Sequence, residues 1–293
     1  MNVLLCGARG FVGRAARAAL ERGGHRVIAG VHGAPGPGEQ AHDFARDIDP
    51  AAWLPRLREI DAVVNTVGVL RDAPDRPLAA IHAQAPAALF EACARAGVRR
   101  VVQVSALGVA DSPTDYARTK RAADETLEAL AIAGRVDAAI VRPSLVFGRG
   151  GASSRLFLAL ARLPALLLPA AVRRARVQPL AVGELAEALA ALVERPAPGS
   201  ATLAAVGPEP VGLGDFIASL RAQGGRVRAC VGTLPDALAR TGARLGDRVP
   251  ASPWCSETLA LLATDNVAEP GPFARVLGRT PARYDRLLAG VAP

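Results

Sequence analysis

The stretch "NVLLCGARGFVG", Asn2–Gly13, decides how the rest of the chain reads. An apolar run over Asn2–Ala8 leads into glycines at Gly7, Gly10 and Gly13, and an amphipathic segment then covers Val12–Arg22. A short, near-continuous apolar run marks a strand buried on both faces, as in a parallel sheet. Glycines three apart allow a tight turn, a close approach to a pyrophosphate and tight packing of helix on strand. The helix that follows offers unpaired backbone N–H groups and the positive end of its dipole. Gly7, Arg9, Gly10, Phe11, Val12 and Gly13 are therefore candidates to bind a dinucleotide, set against a purely structural turn.

The same alternation continues downstream. "RVIAGVH" (Arg26–His32), "DAVVNTV" (Asp61–Val67), "RVVQVSA" (Arg100–Ala106) and "DAAIVRP" (Asp137–Pro143) read as buried parallel strands. Helical patterns over Val12–Arg22, Leu78–Ala96 and Tyr116–Ala133 lie between them. Strand and helix alternating at this spacing predict an α/β fold, a doubly wound parallel sheet with right-handed crossovers. Residues 1–150 form the expected dinucleotide-binding domain, its sheet completed by residues 175–206 with "RVQPLAV" as a returning strand and a helix over Gly183–Glu194. Residues 151–174 and 207–293 form a smaller C-terminal lobe for a substrate or partner.

Composition narrows the function. At 293 residues, 51% of them apolar, the chain can bury ample core. The net charge of +8 comes from arginines scattered among acidic residues, with only 4% aromatics to stack on bases, so nucleic acid is not the expected partner. Cys6, Cys93, Cys230 and Cys255 are far apart and lack metal-ligand spacing. No metal is expected, and buried free thiols at Cys6 and Cys93 fit a reducing compartment. The chain starts directly on its first strand, leaving no leader segment, and a cytoplasmic location follows. "LFLALARLPALLLPAAV" (Leu156–Val172) approaches the length of a membrane span, but Arg162, Pro164 and Pro169 interrupt it. It reads as helix and loop of the smaller lobe, or as a peripheral membrane contact helped by Arg173, Arg174 and Arg176.

The second strand ends in Val31 and His32, without the acid that an NAD site places on the ribose hydroxyls. Arg9 sits within the glycine turn, where a guanidinium meets a 2′-phosphate. NADP is expected ahead of NAD, with a solvated loop arginine as the alternative for Arg9. His32 and, where the third strand ends, Val67 and Gly68 join the cofactor-binding candidates.

"SPTDYARTKRAAD" (Ser112–Asp124) carries the chemistry. Lys120 is the chain's single lysine, four residues after one of its two tyrosines, Tyr116. That spacing puts both on one helix face. A phenol titrates near pH ~10. A nearby ammonium favours the phenolate and makes the group a usable proton donor or acceptor. Arginine's planar fork is bulkier and differently directed than a compact ammonium. Ser105, ending the preceding strand, adds a hydroxyl able to orient a substrate oxygen. Tyr116, Lys120 and Ser105 are the catalytic candidates, with Lys120 also on the cofactor.

With the glycine turn, Ser105 and "YARTK" in order, the chain resembles the atypical and extended branch of the short-chain dehydrogenase/reductase superfamily. "VRPSLVFGRG" (Val141–Gly150) resembles the segment that in that branch lies against the nicotinamide, which implicates Pro143 and Val146. "HDF" (His42–Phe44) resembles its adenine-edge motif, implicating Asp43 and Phe44. "SALGVADSPTDYARTKRAADE", "VQPLAVGELAEAL" and "LLATDNV…FARVLGRTP" resemble bacterial relatives of the nucleotide-binding accessory subunit of respiratory complex I. That family binds NADPH for structure rather than turnover. Three departures stand out: His82 replaces the superfamily's relay asparagine, as a substitute or as a plain helix residue; the spacing from Ser105 to Tyr116 is shorter than in many extended members; and Gly183–Glu184 replaces an acidic pair.

Two functions compete. In the first, an NADP-dependent oxidoreductase moves a hydride between NADP(H) and a carbonyl or alcohol of an unknown, apolar or quinone-like small molecule. In the second, a structural or redox-sensing NADPH-binding protein associates with a membrane or a respiratory complex. An epimerase or dehydratase working on a nucleotide sugar is a third, narrower option.

Overall fold

The computed structural model describes residues 1–195, 200–248 and 256–290; Cys255 lies outside them. The chain begins with β1 (Asn2–Cys6), α1 (Phe11–Arg22), β2 (Arg26–Val31), β3 (Glu39–Ala41), α2 (Pro50–Trp53), β4 (Ala62–Asn65), α3 (Ala85–Ala96), β5 (Arg100–Val104), α4 (Asp115–Ile132) and β6 (Asp137–Pro143). It continues through β7 (Val146–Phe147), α5 (Ala152–Leu160), β8 (Ala165–Pro169), α6 (Ala170–Arg174), β9 (Arg176–Val177), β10 (Leu180–Ala181), α7 (Val182–Glu194) and β11 (Ser200–Ala205). Next come β12 (Val211–Gly212), α8 (Leu213–Gln223), β13 (Cys230–Leu234) and α9 (Asp236–Asp247).

These elements gather into two compact units. One comprises Met1–Pro143, Gly183–Ala204 and Arg275–Gly278; the other comprises Ser144–Val182, Ala205–Ala274 and Arg279–Pro293. The first unit is built on a seven-stranded sheet of order β11-β6-β5-β4-β1-β2-β3. From β3 through to β6, neighbouring strands pair in parallel. The order reverses between β1 and β4, and a ligand crevice forms at such a switch point, outside the carboxyl ends of the strands.

The apolar runs become strands because both faces of the sheet are covered. Val3, Leu4, Leu5, Val63, Val64, Val101, Val102 and Ile140 are all without solvent exposure. On one face Leu4, Val63, Val101 and Ile140 share a core with Leu89, Phe90, Leu127 and Trp53. Cys6 and Cys93 belong to the same core, and burial pushes both thiols above their ordinary range. The second unit has a separate core, in which Phe216 meets the edges of Phe147 and Phe157.

The sheet departs from the sequence expectation at its two ends. "RVQPLAV" does not return to it. Pro179, which has no N–H for a ladder, splits the segment into β9 and β10. β9 pairs antiparallel with β12, and β10 pairs with β7. The intervening Gln178 donates to Gly207 O and accepts from the Ala268 N–H. The seventh strand is instead β11, and the opposite edge is β3, too short and polar to show an apolar run. Leu156–Val172 also divides, into the end of α5, the strand β8 and the start of α6. No described helix is long and apolar enough to cross a membrane.

Candidate functional site

The glycine turn has the geometry its spacing demands. Gly7 takes φ +80°, a conformation that L side chains rarely adopt, and its carbonyl accepts from Gly10 N–H at 2.8 Å. A Cβ on Gly13 would stand 2.0 Å from Gly7 O, so α1 can pack on the turn only with glycine there. Gly10 caps α1 without any side-chain hydrogen bond, and the first turn carries no acid. Its leading N–H groups, with Phe11 and Val12 at the helix start, are what an anionic phosphate needs. The residues present therefore fit a pyrophosphate.

An open cleft of about 880 Å³ adjoins this turn, walled by Gly7, Arg9, Gly10, His32, Asp43 and Phe44, and farther along by Val67 and Gly68. His32 is exposed on it. Phe44 turns its ring onto Trp53, 5.2 Å between centroids, so it supports the wall. Asp43 accepts from the Ala45 N–H at 3.0 Å and shapes the turn. His42, only 3% exposed, lies so close to β2 that a Cβ on Gly30 would be 2.2 Å from its ring. Burial, helped by Arg56, lowers its pKa to about 4 and keeps it neutral.

Arg9, in an exposed turn with its side chain 53% exposed, is ion-paired. It donates to both carboxylate oxygens of Glu39, at 2.5 and 3.3 Å, and to Ala34 O. Glu39 also accepts from the Gly36 N–H, and that bond, followed by Arg9, holds its carboxyl below the usual range. Glu39 lies on β3, and its meeting with Arg9 is hidden from sequence because the residues between fold into a turn.

At the other end of the cleft, Thr114 caps α4 by accepting from Ala117 N–H, so Tyr116 falls in the first turn and Lys120 one turn later. Tyr116 is half-buried and Lys120 is 4% exposed. The ammonium donates to Val67 O at 3.3 Å and Val104 O at 3.1 Å, at the carboxyl ends of β4 and β5. A Cβ on Gly68 would approach it to 3.2 Å. Burial lowers its pKa to about 8, against the pull of Asp124. An arginine fork would not fit this narrow bay, so the lone lysine is explained by space as well as charge.

His82 closes the back of the bay. It sits in a π-helical turn, Ala80–Gln84, just before α3, a rare feature often found at functional sites. Its Nε2 accepts from Val69 N–H at 3.0 Å, which assigns the proton to Nδ1, 3.2 Å from Thr119 Oγ1. The Thr119 hydroxyl in turn donates a hydrogen bond to Asp115 O at 2.8 Å. Burial, then Lys120, lowers the His82 pKa to about 2. With both nitrogens engaged, His82 is a neutral brace whose ring edge meets Tyr116, 5.3 Å between centroids.

Ser105 is turned inward, donating to Asp124 Oδ2 at 2.8 Å. Arg142 donates to the same oxygen from Nε and Nη2. Burial raises the Asp124 pKa, against these two partners. Tyr116, Lys120 and Asp124 step along α4 at four-residue intervals, a spacing visible in the quoted stretch although Asp124 was not singled out there. Also unforeseen were Asn65 and Gln103, fully buried partners across β4 and β5 at 2.8 Å; Asn65 Oδ1 holds Val67 N–H and so sets the carbonyl that Lys120 meets. Polar residues inside apolar strand runs were the signal. Pro143 ends β6, with its carbonyl accepting from Leu107 N–H. Val146 lies in β7, paired with Leu180 in the second unit.

The chain is similar to known proteins in fold and motif. The ceramide reductase of Caulobacter vibrioides (strain NA1000 / CB15N) is 27% identical over 215 residues, 70% of this chain and 64% of that protein, so the chain spans less than two thirds of its relative's length. MoeE5, solved with UDP-glucuronic acid and NAD, superposes with a TM-score of 0.73 at 21% identity, covering 99% of this chain and 97% of that one. The NADPH-dependent quinone oxidoreductase QOR2 of Escherichia coli, solved with NADPH, gives 0.72 at 16% identity, covering 99% of each chain. At these identities the two structures share the fold. Residues 3–202 match the family described as NAD dependent epimerase/dehydratase, and the chain belongs to that family.

Proposed function

We propose that the protein is an NADP(H)-dependent reductase of a carbonyl group on an apolar small molecule, working in the short-chain dehydrogenase manner. The observation that carries this is the bay around Lys120: an ammonium buried to 4% exposure, one helical turn from Tyr116, beside the wall of a dinucleotide-shaped cleft. Burying that charge is costly, and a proton-transfer role for Tyr116 gives it a purpose. The ceramide reductase relative and the quinone oxidoreductase fold neighbour support an apolar carbonyl substrate.

The glycine turn and the N-terminus of α1 bind the pyrophosphate, with His32 and Asp43 along the cleft toward the adenosine. When bound, the cofactor supplies the hydride. Tyr116 delivers the proton to the developing alkoxide, and Lys120 holds the nicotinamide ribose and favours the phenolate that is left. Ser105 orients the substrate oxygen after its hydroxyl swings from Asp124, which keeps Arg142 as its partner. Pro143, which ends β6, borders the nicotinamide in this proposal.

A second reading keeps NADPH as a held structural or redox-sensing ligand, in a protein related to the complex I accessory subunit and associated with a membrane or respiratory complex. The buried clamp of Lys120 is compatible with it, because a ribose clamp needs no turnover. Tyr116→Phe separates the two. It should lower reduction of a proven carbonyl substrate at least a hundredfold, about the scale of a lost general acid, while NADPH binding measured by fluorescence stays unchanged. Reduction at the original rate would remove Tyr116 from the mechanism.

A further inference from the structure

In the second unit, β8 and β13 form a two-stranded parallel ribbon, in register from Ala165↔Cys230 to Leu234↔Pro169. One face points inward through Leu166 and Leu168, 2% and 7% exposed; the other leaves Leu167 at 66%. Leu163, in the turn before β8, is 48% exposed, and Val227, in the loop before β13, is 85%.

Arg221 holds these two loops together. Its guanidinium donates to Ala161 O and Arg162 O on one side and to Val227 O on the other, at 3.3, 2.7 and 2.6 Å. Cys230 N–H then bonds Pro164 O and starts the ribbon. Leu163, Leu167 and Val227 are therefore one edge of the fold, not scattered apolar residues of the kind every surface carries.

The charge around that edge is mainly positive, with Asp215 the acid paired there. Residues 144–182 contain six arginines and no acid. Arg162 and Arg226 are exposed beside the apolar edge, and among the described residues neither meets an acidic side chain. Arg228, also exposed, pairs with Asp215 at 3.2 Å.

We propose that this edge docks on an anionic phospholipid bilayer, with Leu163, Leu167 and Val227 entering the headgroup boundary and Arg162 and Arg226 lying against phosphate. Charge decides the occupant. A second copy of the chain meeting the same edge would set arginine against arginine, whereas an acidic lipid surface complements it.

The test is sedimentation of the full chain with phosphatidylcholine vesicles, with and without phosphatidylglycerol. The account predicts binding to the acidic vesicles that weakens with salt. The triple variant Leu163→Ser/Leu167→Ser/Val227→Ser should partition about tenfold less, from lost apolar burial. Arg162→Gln/Arg226→Gln should bind less and lose part of the salt dependence. All five side chains are exposed, so unchanged melting and NADPH affinity certify the fold. Equal partition of the triple variant, equal binding to neutral vesicles, or a solution dimer that the triple variant dissociates would each overturn the proposal.

Discussion

Lys120 carries two opposing effects that only titration separates. With its pKa near 8, it is charged at neutral pH and loses its proton well below the 10.5 of an unburied lysine. Between those values the unfolded chain holds a proton that the folded chain does not, so this residue makes stability rise with pH across that window. The ribose clamp behaves in the opposite sense, since it needs the charge. NADPH affinity is expected to decline as pH passes about 8, and Lys120→Met, measured by fluorescence titration, should bind weakly and without that bend. Arg9 gives a second residue-level prediction. Its guanidinium is occupied by Glu39, which a 2′-phosphate must displace. Glu39→Gln should raise NADPH affinity relative to NADH by severalfold; an unchanged ratio would mean that Arg9 does not read the 2′-phosphate. Tyr116 and Lys120 were legible because a rare residue at helical spacing needs no fold to be noticed. Glu39 was not, since its meeting with Arg9 depends on a turn.

At the scale of elements, the π-helical turn before α3 and the first turn of α4 act as one brace. His82 ties Val69 N–H to Thr119 and leans its edge on Tyr116. Removing it leaves the partly buried Val69 N–H without this acceptor. His82→Leu is expected to cost about 1–3 kcal/mol in urea unfolding, and to reduce turnover more than NADPH affinity, because Tyr116 loses its support. The sign with pH is also set. His82 binds its proton far more weakly folded than unfolded, so its contribution is intact above pH 6.5 and is lost progressively as pH falls toward about 2. Acid unfolding of His82→Leu should accordingly be less steep. The apolar runs disclosed β1, β2, β4, β5 and β6, and the glycine spacing disclosed the turn before α1. What stayed hidden were β3 and β11, short edge strands whose pairing depends on partners distant in sequence, and the division of "RVQPLAV" by Pro179.

Across the whole molecule, charge is unevenly divided. The second unit carries 15 arginines against 8 acids, while the first unit, which holds the cleft, is nearly balanced. The net charge of +8 therefore belongs mainly to the unit that presents the apolar edge. Raising salt should weaken vesicle binding. The cleft itself is open, lined by Gly7, Gly10 and Gly68 together with side chains such as His32, Phe44 and Ile81, and asks for no large rearrangement to admit or release a dinucleotide. A turning-over cofactor must leave on the timescale of catalysis; a structural one need never leave. The deciding measurement is the rate at which bound NADPH leaves the purified protein, followed by fluorescence after mixing with excess unlabelled competitor. The reductase account predicts release within seconds and oxidised cofactor exchanging as readily. Retention over hours would contradict it and leave the protein as a holder of NADPH.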